Sequence, residues 1–351
     1  MSIIDALSQG FSTIHRRWWV LLIPVLVDLF LWLGPQAAIA HIVSDVSDVL
    51  IDSDLLAQAG QSDPELVEMI RTTLDGVGKN YNLFSSLRVR MLGMPSLLVW
   101  GGAGYHLPSV YEVFWIYFLQ MIDIPELAIS VSQATFVNHP VWQIGSQAIL
   151  LGMTLLVSSI GVAVGAIYLT WISPEIDKTA DPPSFWSRVT QLSGRVLLFW
   201  LLRVIALILL GLPFFLFLGL LSMFSANLAI IVGISGMGAL TWLSFYGIFF
   251  VTSMVVNHTT IWQALWNSLN VVLRNFWPTL GLFVLINLIG GGLTILWQQL
   301  SKGAWLTLIG ILGNAYVGSS LLAGSLIFYR DRYDRWRERV AQILADTRKE
   351  L

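Results

Sequence analysis

Six stretches of the chain are almost wholly apolar over the length a helix needs to cross a bilayer. They are Trp18 to Ala40, Ile144 to Trp171, Val196 to Leu221, Leu228 to Val256, Pro278 to Trp297 and Ala304 to Tyr329. About 20 helical residues reach across roughly 30 Å of hydrocarbon. No long period-two alternation suggests a barrel, which leaves the helix as the way to satisfy the backbone within lipid. The expected fold class is all-α: a polytopic membrane protein with a six-helix transmembrane bundle and amphipathic interfacial helices. Composition supports this. Hydrophobic residues make up 56% and charged residues 11%, and 19 basic plus 21 acidic side chains are too few to cover a soluble chain of 351 residues. A soluble enzyme is therefore excluded. A net charge of −2 offers no field for nucleic acid, and zero cysteines exclude disulfides, thiolate metal sites and cysteine nucleophiles.

The spans divide the chain into residues 1–40 (an amphipathic helix and the first span), an outer segment 41–143, five further spans in 144–329, and a charged helix 330–351. Trp18, Trp19, Trp142, Trp171, Trp277, Trp297 and Trp305 fall near span ends, as an interfacial belt does. With the N-terminus inside, 13 of the 19 Lys and Arg residues are cytoplasmic, 5 are outside and Arg203 lies within a span. That asymmetry is expected to place both termini in the cytoplasm, with the protein in a plasma membrane. Arg16-Arg17 followed by an apolar run and Ala38-Ile39-Ala40 imitates a signal peptide. Asp28 in the apolar run and the long amphipathic leader favour a retained span.

Odd-numbered spans each follow a short amphipathic segment. Ser2-Ile3-Ile4-Asp5 leads through Leu7, Phe11 and Ile14 to Arg16-Arg17-Trp18-Trp19. Thr260-Ile261-Trp262-Gln263 leads through Leu265, Leu269 and Val272 to Arg274-Asn275-Phe276-Trp277. At a constant offset of 258, Ala6 matches Ala264, Leu7 matches Leu265, Arg16 matches Arg274 and Trp19 matches Trp277. Both begin with a capping-box pattern. Pro182 through Val189, Leu192 and Arg195 is a weaker middle copy. The expected unit is an elbow helix in the headgroup plane followed by a transmembrane hairpin, present three times.

The outer segment is expected to prolong the first helix, with His41, Asp45, Asp48 and Asp52 on its solvated face. A weak cation site is the alternative use of that stripe. A polar helix from Asp63 to Leu74 should follow. Met94 to Gly102 and Val110 to Ile122 are too short to span and read as re-entrant or interfacial pieces on the outer face of the bundle. Tyr105-His106 lies between them, and a structural role is expected for that histidine.

Two charges fall within spans, Asp28 and Arg203. Counted from the basic residues that precede their spans, they lie at depths about 4.5 Å apart. Asn287 comes to a similar level. The expectation is an intramembrane polar layer of Asp28, Arg203 and Asn287, with Asp28 and Arg203 paired as a clasp between hairpins. Gly161 and Gly165, and Gly310, Asn314 and Gly318, should permit close helix contact. Gly290-Gly291-Gly292 would loosen or kink the fifth span. No Walker loop, dinucleotide fingerprint, His-Glu-x-x-His or Gly-x-Ser-x-Gly occurs, so no catalytic residue, metal ligand or cofactor is expected. Arg330 to Arg339, continued by Trp336, Val340, Ile343 and Leu344 on one side, should meet anionic headgroups or a cytoplasmic protein.

The stretch from Ala264-Leu265-Trp266-Asn267-Ser268-Leu269 to Asn275-Phe276-Trp277, with a last helix ending Phe328-Tyr329-Arg330-Asp331, resembles a broad bacterial group of uncharacterised six-helix proteins. These are similar to the membrane domain attached to some glycerophosphoryl diester phosphodiesterases. The likeness covers the last hundred or so residues and, more loosely, the first span. The phosphodiesterase domain has no counterpart here, and no enzymatic residue carries over. The leading expectation is a non-enzymatic protein that organises membrane lipids or a membrane complex. A transporter component with a midplane site at Asp28, Arg203 and Asn287 is the alternative, and a membrane lipid enzyme the third.

Overall fold

A computed structural model describes residues 1–51, 68, 71–72, 82–98, 140–176, 183–300 and 304–350. The apolar runs beyond residue 98, Tyr105-His106, Asp52 and nearly all of the 63–74 helix lie outside the described residues. The rest is helical apart from one short strand pair. Among the described residues five helices are long and apolar enough to cross a membrane, and a shorter apolar segment covers Trp18–Leu33.

The first amphipathic segment forms α1 (Ile3–Arg16) under a complete capping box. The Asp5 amide donates to Ser2 Oγ at 3.1 Å and the Ser2 amide to Asp5 Oδ2 at 3.0 Å. The helix breaks at Arg17, a 3-10 turn covers Trp18–Leu21, and α2 (Leu22–Leu33) follows. Here the structure corrects the expected span Trp18–Ala40. The helix stops at Gly34, before Pro35, whose ring disfavours helical geometry in the residue ahead of it. Gln36–Ala38 then forms β1, parallel to β2 (Val141–Gln143), and α3 (Ala40–Ile51) is a separate helix and no continuation of the first. The next long helix, α4 (Gln147–Ile172), begins just after β2. Arg17 donates from Nη1 to the carbonyl of Trp171, at the far end of α4. The α2–β1 segment therefore runs the whole length of α4, part helix and part strand.

The middle elbow and its span are one helix, α5 (Phe185–Ala206), capped by Ser184 and unbroken where an elbow was expected. A π-turn at Leu207–Gly211 leads into α6 (Leu212–Phe224). Pro213 explains the turn: it has no N–H for a carbonyl four residues back, and a wider turn absorbs the fault. Ser225 caps α7 (Ala226–Tyr246), then comes α8 (Phe250–Asn257). The third elbow is α9 (Ile261–Arg274), again with a capping box, Thr260 with Gln263. It breaks at Asn275 with backbone angles −131° and 41°, against −123° and 48° at Arg17. After it come α10 (Phe276–Leu300), helical through Gly290-Gly291-Gly292, and α11 (Ala304–Glu350).

α11 is the spine. α1 runs back along it in the opposite sense: Arg332 donates to the Met1 carbonyl at 3.2 Å, Gly10 lies on Ser320 and Gly324, and Phe11 meets Tyr316 edge-on at 5.8 Å. The apolar stripe of α1 (Ala6, Leu7, Ile14) is thus covered by protein and not presented to headgroups, as had been expected. α9 differs. It buries its small face, Ala264 and Ser268, and leaves Trp262 75% and Trp266 62% exposed along with Leu273, an outward stripe suited to the interface.

The expected outer segment also moves. Residues 82–98 do not rest on the outer face of the bundle. They enter it. From Asn82, which accepts the Ala37 amide at 3.1 Å, the chain descends through 3-10 turns at Leu83–Leu87 and Arg90–Leu92. Leu87 lies on Gly161 of α4, about 21 Å along that helix from Gln147. The chain reverses at Gly93 (φ 67°), where a side chain would be strained and would also meet Leu322 at 2.8 Å. It climbs back past Pro95, which lies on Gly318 of α11, to Leu98. Leu83, Leu92, Met94 and Leu97 are all at most 2% exposed. The small residues expected between helices thus receive a re-entrant loop. A Cβ at Gly161 would come 2.5 Å from the Leu87 carbonyl oxygen, whereas Gly152 on the same helix faces open space. Gly161→Ala should cost about 1–3 kcal/mol by overpacking. Thermal melts in detergent should show a lowered Tm for Gly161→Ala and an unchanged one for Gly152→Ala.

Candidate functional site

Asp28 is fully buried on α2, and the returning limb of the re-entrant loop supplies its partners. The Leu97 amide donates to Oδ2 at 2.8 Å and Ser96 Oγ donates to Oδ1. The Arg88 guanidinium lies near enough to favour the carboxylate electrostatically, and its Nε donates to the Met94 carbonyl at 2.9 Å. One arginine therefore ties the two limbs of the loop together beside the carboxylate that holds its tip. Two small apolar clusters contain chain neighbours of Asp28 and of its partners, Leu31 with Leu98 and Val25 with Leu97 and Ile311. A carboxylate sealed in this way by a hydroxyl, an amide and apolar side chains can anchor a loop. Its hydrogen-bond partners among the described residues are the Ser96 hydroxyl and the Leu97 amide.

The expected polar layer is not assembled. Arg203 is exposed on α5, and Asn287 gives its amide to the Phe283 carbonyl one turn back on α10, at 2.8 Å. Asp28 takes Ser96 and Leu97 in place of Arg203. Depth arithmetic had set the three at one height, but height along a bundle says nothing about direction around it. Among the described residues no group of three or more His, Cys, Asp or Glu side chains could hold a metal, and His41, Asp45 and Asp48 are exposed on α3.

Sequence reasoning missed a second polar cluster, at the opposite end of α11. Asn257 donates to Tyr329 Oη at 3.0 Å, Asn267 to Ser253 Oγ at 3.3 Å, and Ser268 to the Tyr246 carbonyl at 2.7 Å while accepting the Phe249 amide at 3.1 Å. These bonds fix the α8–α9 corner against the spine. Midway along, Tyr168 Oη donates to Ser319 Oγ at 2.8 Å and links α4 to α11. Hydroxyls and amides at four-residue spacing on the inner faces were the available signal, though each also suited an ordinary helix surface.

The sequence matches no protein-family model, no curated protein and no solved structure. The site must therefore be read from its own geometry. Asp28→Leu should leave the Leu97 amide and the Ser96 hydroxyl without their acceptor and cost about 2–3 kcal/mol. Arg203→Met, which removes a charge from an outward apolar face, should leave the melt unchanged or raise it, and should not lower it. Equal losses for the two single variants, recovered in the double, would restore the Asp28–Arg203 pair.

Proposed function

We propose that this protein is a non-enzymatic integral membrane protein that assembles with another membrane protein through the hairpin of α5, α6 and α7. One observation carries the reading: Arg203 faces outward on an apolar hairpin that the other described residues leave uncovered. Leu198, Leu201, Leu207, Leu209, Leu216 and Leu220 are all exposed around it. The leucines alone would suit lipid. A guanidinium among them would be expensive there, and charged groups within spans face protein or water. The partner that fits is a transmembrane helix with a carboxylate or a cluster of carbonyl acceptors at the level of Arg203. The π-turn that follows it widens the helix at the place where such a contact would form.

In this reading the chain crosses a bacterial plasma membrane six times, with α2 and β1 together making the first crossing and both termini in the cytoplasm. The matching capping boxes and matching breaks at Arg17 and Asn275 support a duplicated elbow-and-hairpin unit, of which the continuous α5 is a divergent middle copy. The resemblance of Ala264 to Trp277 to the bacterial six-helix group fits the same picture. The sealed surroundings of Asp28 favour assembly over transport at that residue.

A photo-crosslinking residue placed at Leu209 in cells should give an adduct with a second membrane protein, and Arg203→Gln should reduce that adduct roughly tenfold. The same probe at Trp262 should label lipid alone. Lipid adducts alone at Leu209, or adducts only to further copies of this chain, would reject the reading.

A further inference from the structure

Around the spine the apolar surface begins at two different depths. On the α10 side it begins near Arg330. α10 runs antiparallel to α11, with Gly290 on Leu321 and Trp297 on Gly313. Its apolar stretch Phe276–Leu293 starts beside the charged part of the spine, where Arg274 lies over the Trp336 ring. Val284 and Leu288 are exposed along that stretch. α1 descends another side of α11, from Met1 beside Asp331 and Arg332. Leu7 and Gly10 lie against Gly324 and Phe11 meets Tyr316, about 9 Å and 21 Å before Arg330 along the spine. The open face of α1 is polar all the way down. Asp5, Ser8, Gln9, Ser12, His15 and Arg16, at three- and four-residue spacing, are all exposed. Only after the break at Arg17 does the surface change, and Trp18, Trp19, Leu22, Leu26, Phe30 and Leu33 then face outward. A guanidinium and an imidazole are costly in hydrocarbon. On this side the apolar surface begins at Trp18.

We propose that the polar face of α1 is one wall of a water-filled crevice, which enters the membrane from the side that holds the charged arm of α11 and closes at Trp18. Water is the occupant that suits this face. A carboxylate stands near one end and an arginine at the other, with hydroxyls and an amide between, and bulk water solvates all of them. The mouth lies at Asp331 and Arg332, so the hydrophilic surface is continuous with the aqueous phase. The length of α2 agrees. Its 12 residues rise about 18 Å, short of the roughly 30 Å of a full crossing, and water drawn in along α1 leaves less hydrocarbon to cross. The inference rests on the membrane placement of α10 and α11 in the reading above and not on the hairpin's partner.

The chain has no cysteine, so single-cysteine variants of the full protein report on one position each. In sealed vesicles, a membrane-impermeant charged methanethiosulfonate is added on the side from which Lys349→Cys, at the exposed end of α11, is modified. Ser8→Cys and Ser12→Cys should react within about tenfold of that rate, because the reactive thiolate forms in water. Leu288→Cys, level with Ser8 but on α10, and Leu26→Cys, beyond the break, should react about a hundredfold more slowly. All five positions are exposed, so the substitutions leave the packed interfaces alone. Reaction at both Ser8→Cys and Ser12→Cys as slow as at Leu288→Cys would overturn the crevice. Fast reaction at Leu288→Cys as well would instead overturn the membrane placement of α10 on which the crevice rests. Fast reaction at Leu26→Cys together with the two serine positions would overturn a crevice that closes at Trp18.

Discussion

Non-helical backbone buried among membrane-length helices must find its hydrogen-bond partners within the protein, because lipid offers none. Residues 82–98 meet that requirement with a few bonds. Asn82 joins the loop's mouth to β1, Arg88 joins its two limbs, and Asp28 accepts from the returning limb. Take away the carboxylate, and an amide and a hydroxyl lose their acceptor in the interior, at a cost well above that of an exposed bond. Asp28 is accordingly better understood as the fixed point of the loop than as a solitary charge seeking a cation. The short first helix follows from the same arrangement. α2 packs on the loop and the spine together, so its length is set by them and a strand completes the distance.

Close approach along the spine depends on side chains that are missing. Gly318 admits Pro95 and Gly324 admits α1, while Gly161 and Gly165 on α4 admit Leu87 and Leu92. In a membrane the hydrophobic effect gives little drive to bring helices together, and packing at short range has to do so. Tyr168 with Ser319, and Tyr329 with Asn257, then add direction to contacts that small residues would leave free to slide.

Much of this was legible in the sequence, and what was missed has a physical reason. Five of the six apolar stretches are membrane-length helices, and the capping boxes at Ser2 and Thr260 sit where the pattern placed them. Caps and apolar length are local properties, so a linear reading reaches them. Gly34-Pro35 marked the end of α2, but a purely apolar count passed over it. The partners of Asp28 lie 68 and 69 residues away in a segment that resembles a surface loop by length alone. The glycines that receive the loop were noticed for their spacing, which does not distinguish an incoming helix from an incoming turn. Arg203 was misplaced because residues per turn set its depth, and depth does not say which way around the bundle the side chain faces.

α5 now connects the two unexplained surfaces. Arg195 and Arg203 are eight residues apart on one helix, roughly 80° apart around its axis at 100° per residue. Arg195 stands beside the end of α4 while Arg203 faces away from the bundle, although both interrupt a predominantly apolar surface. The merging of elbow and span into a single helix has a consequence for both. α1 and α9 can each adjust about a break, at Arg17 and Asn275, whereas α5 passes any shift at its root along its length until the π-turn. The unbroken middle helix therefore carries its polar root and the outward Arg203 as one element.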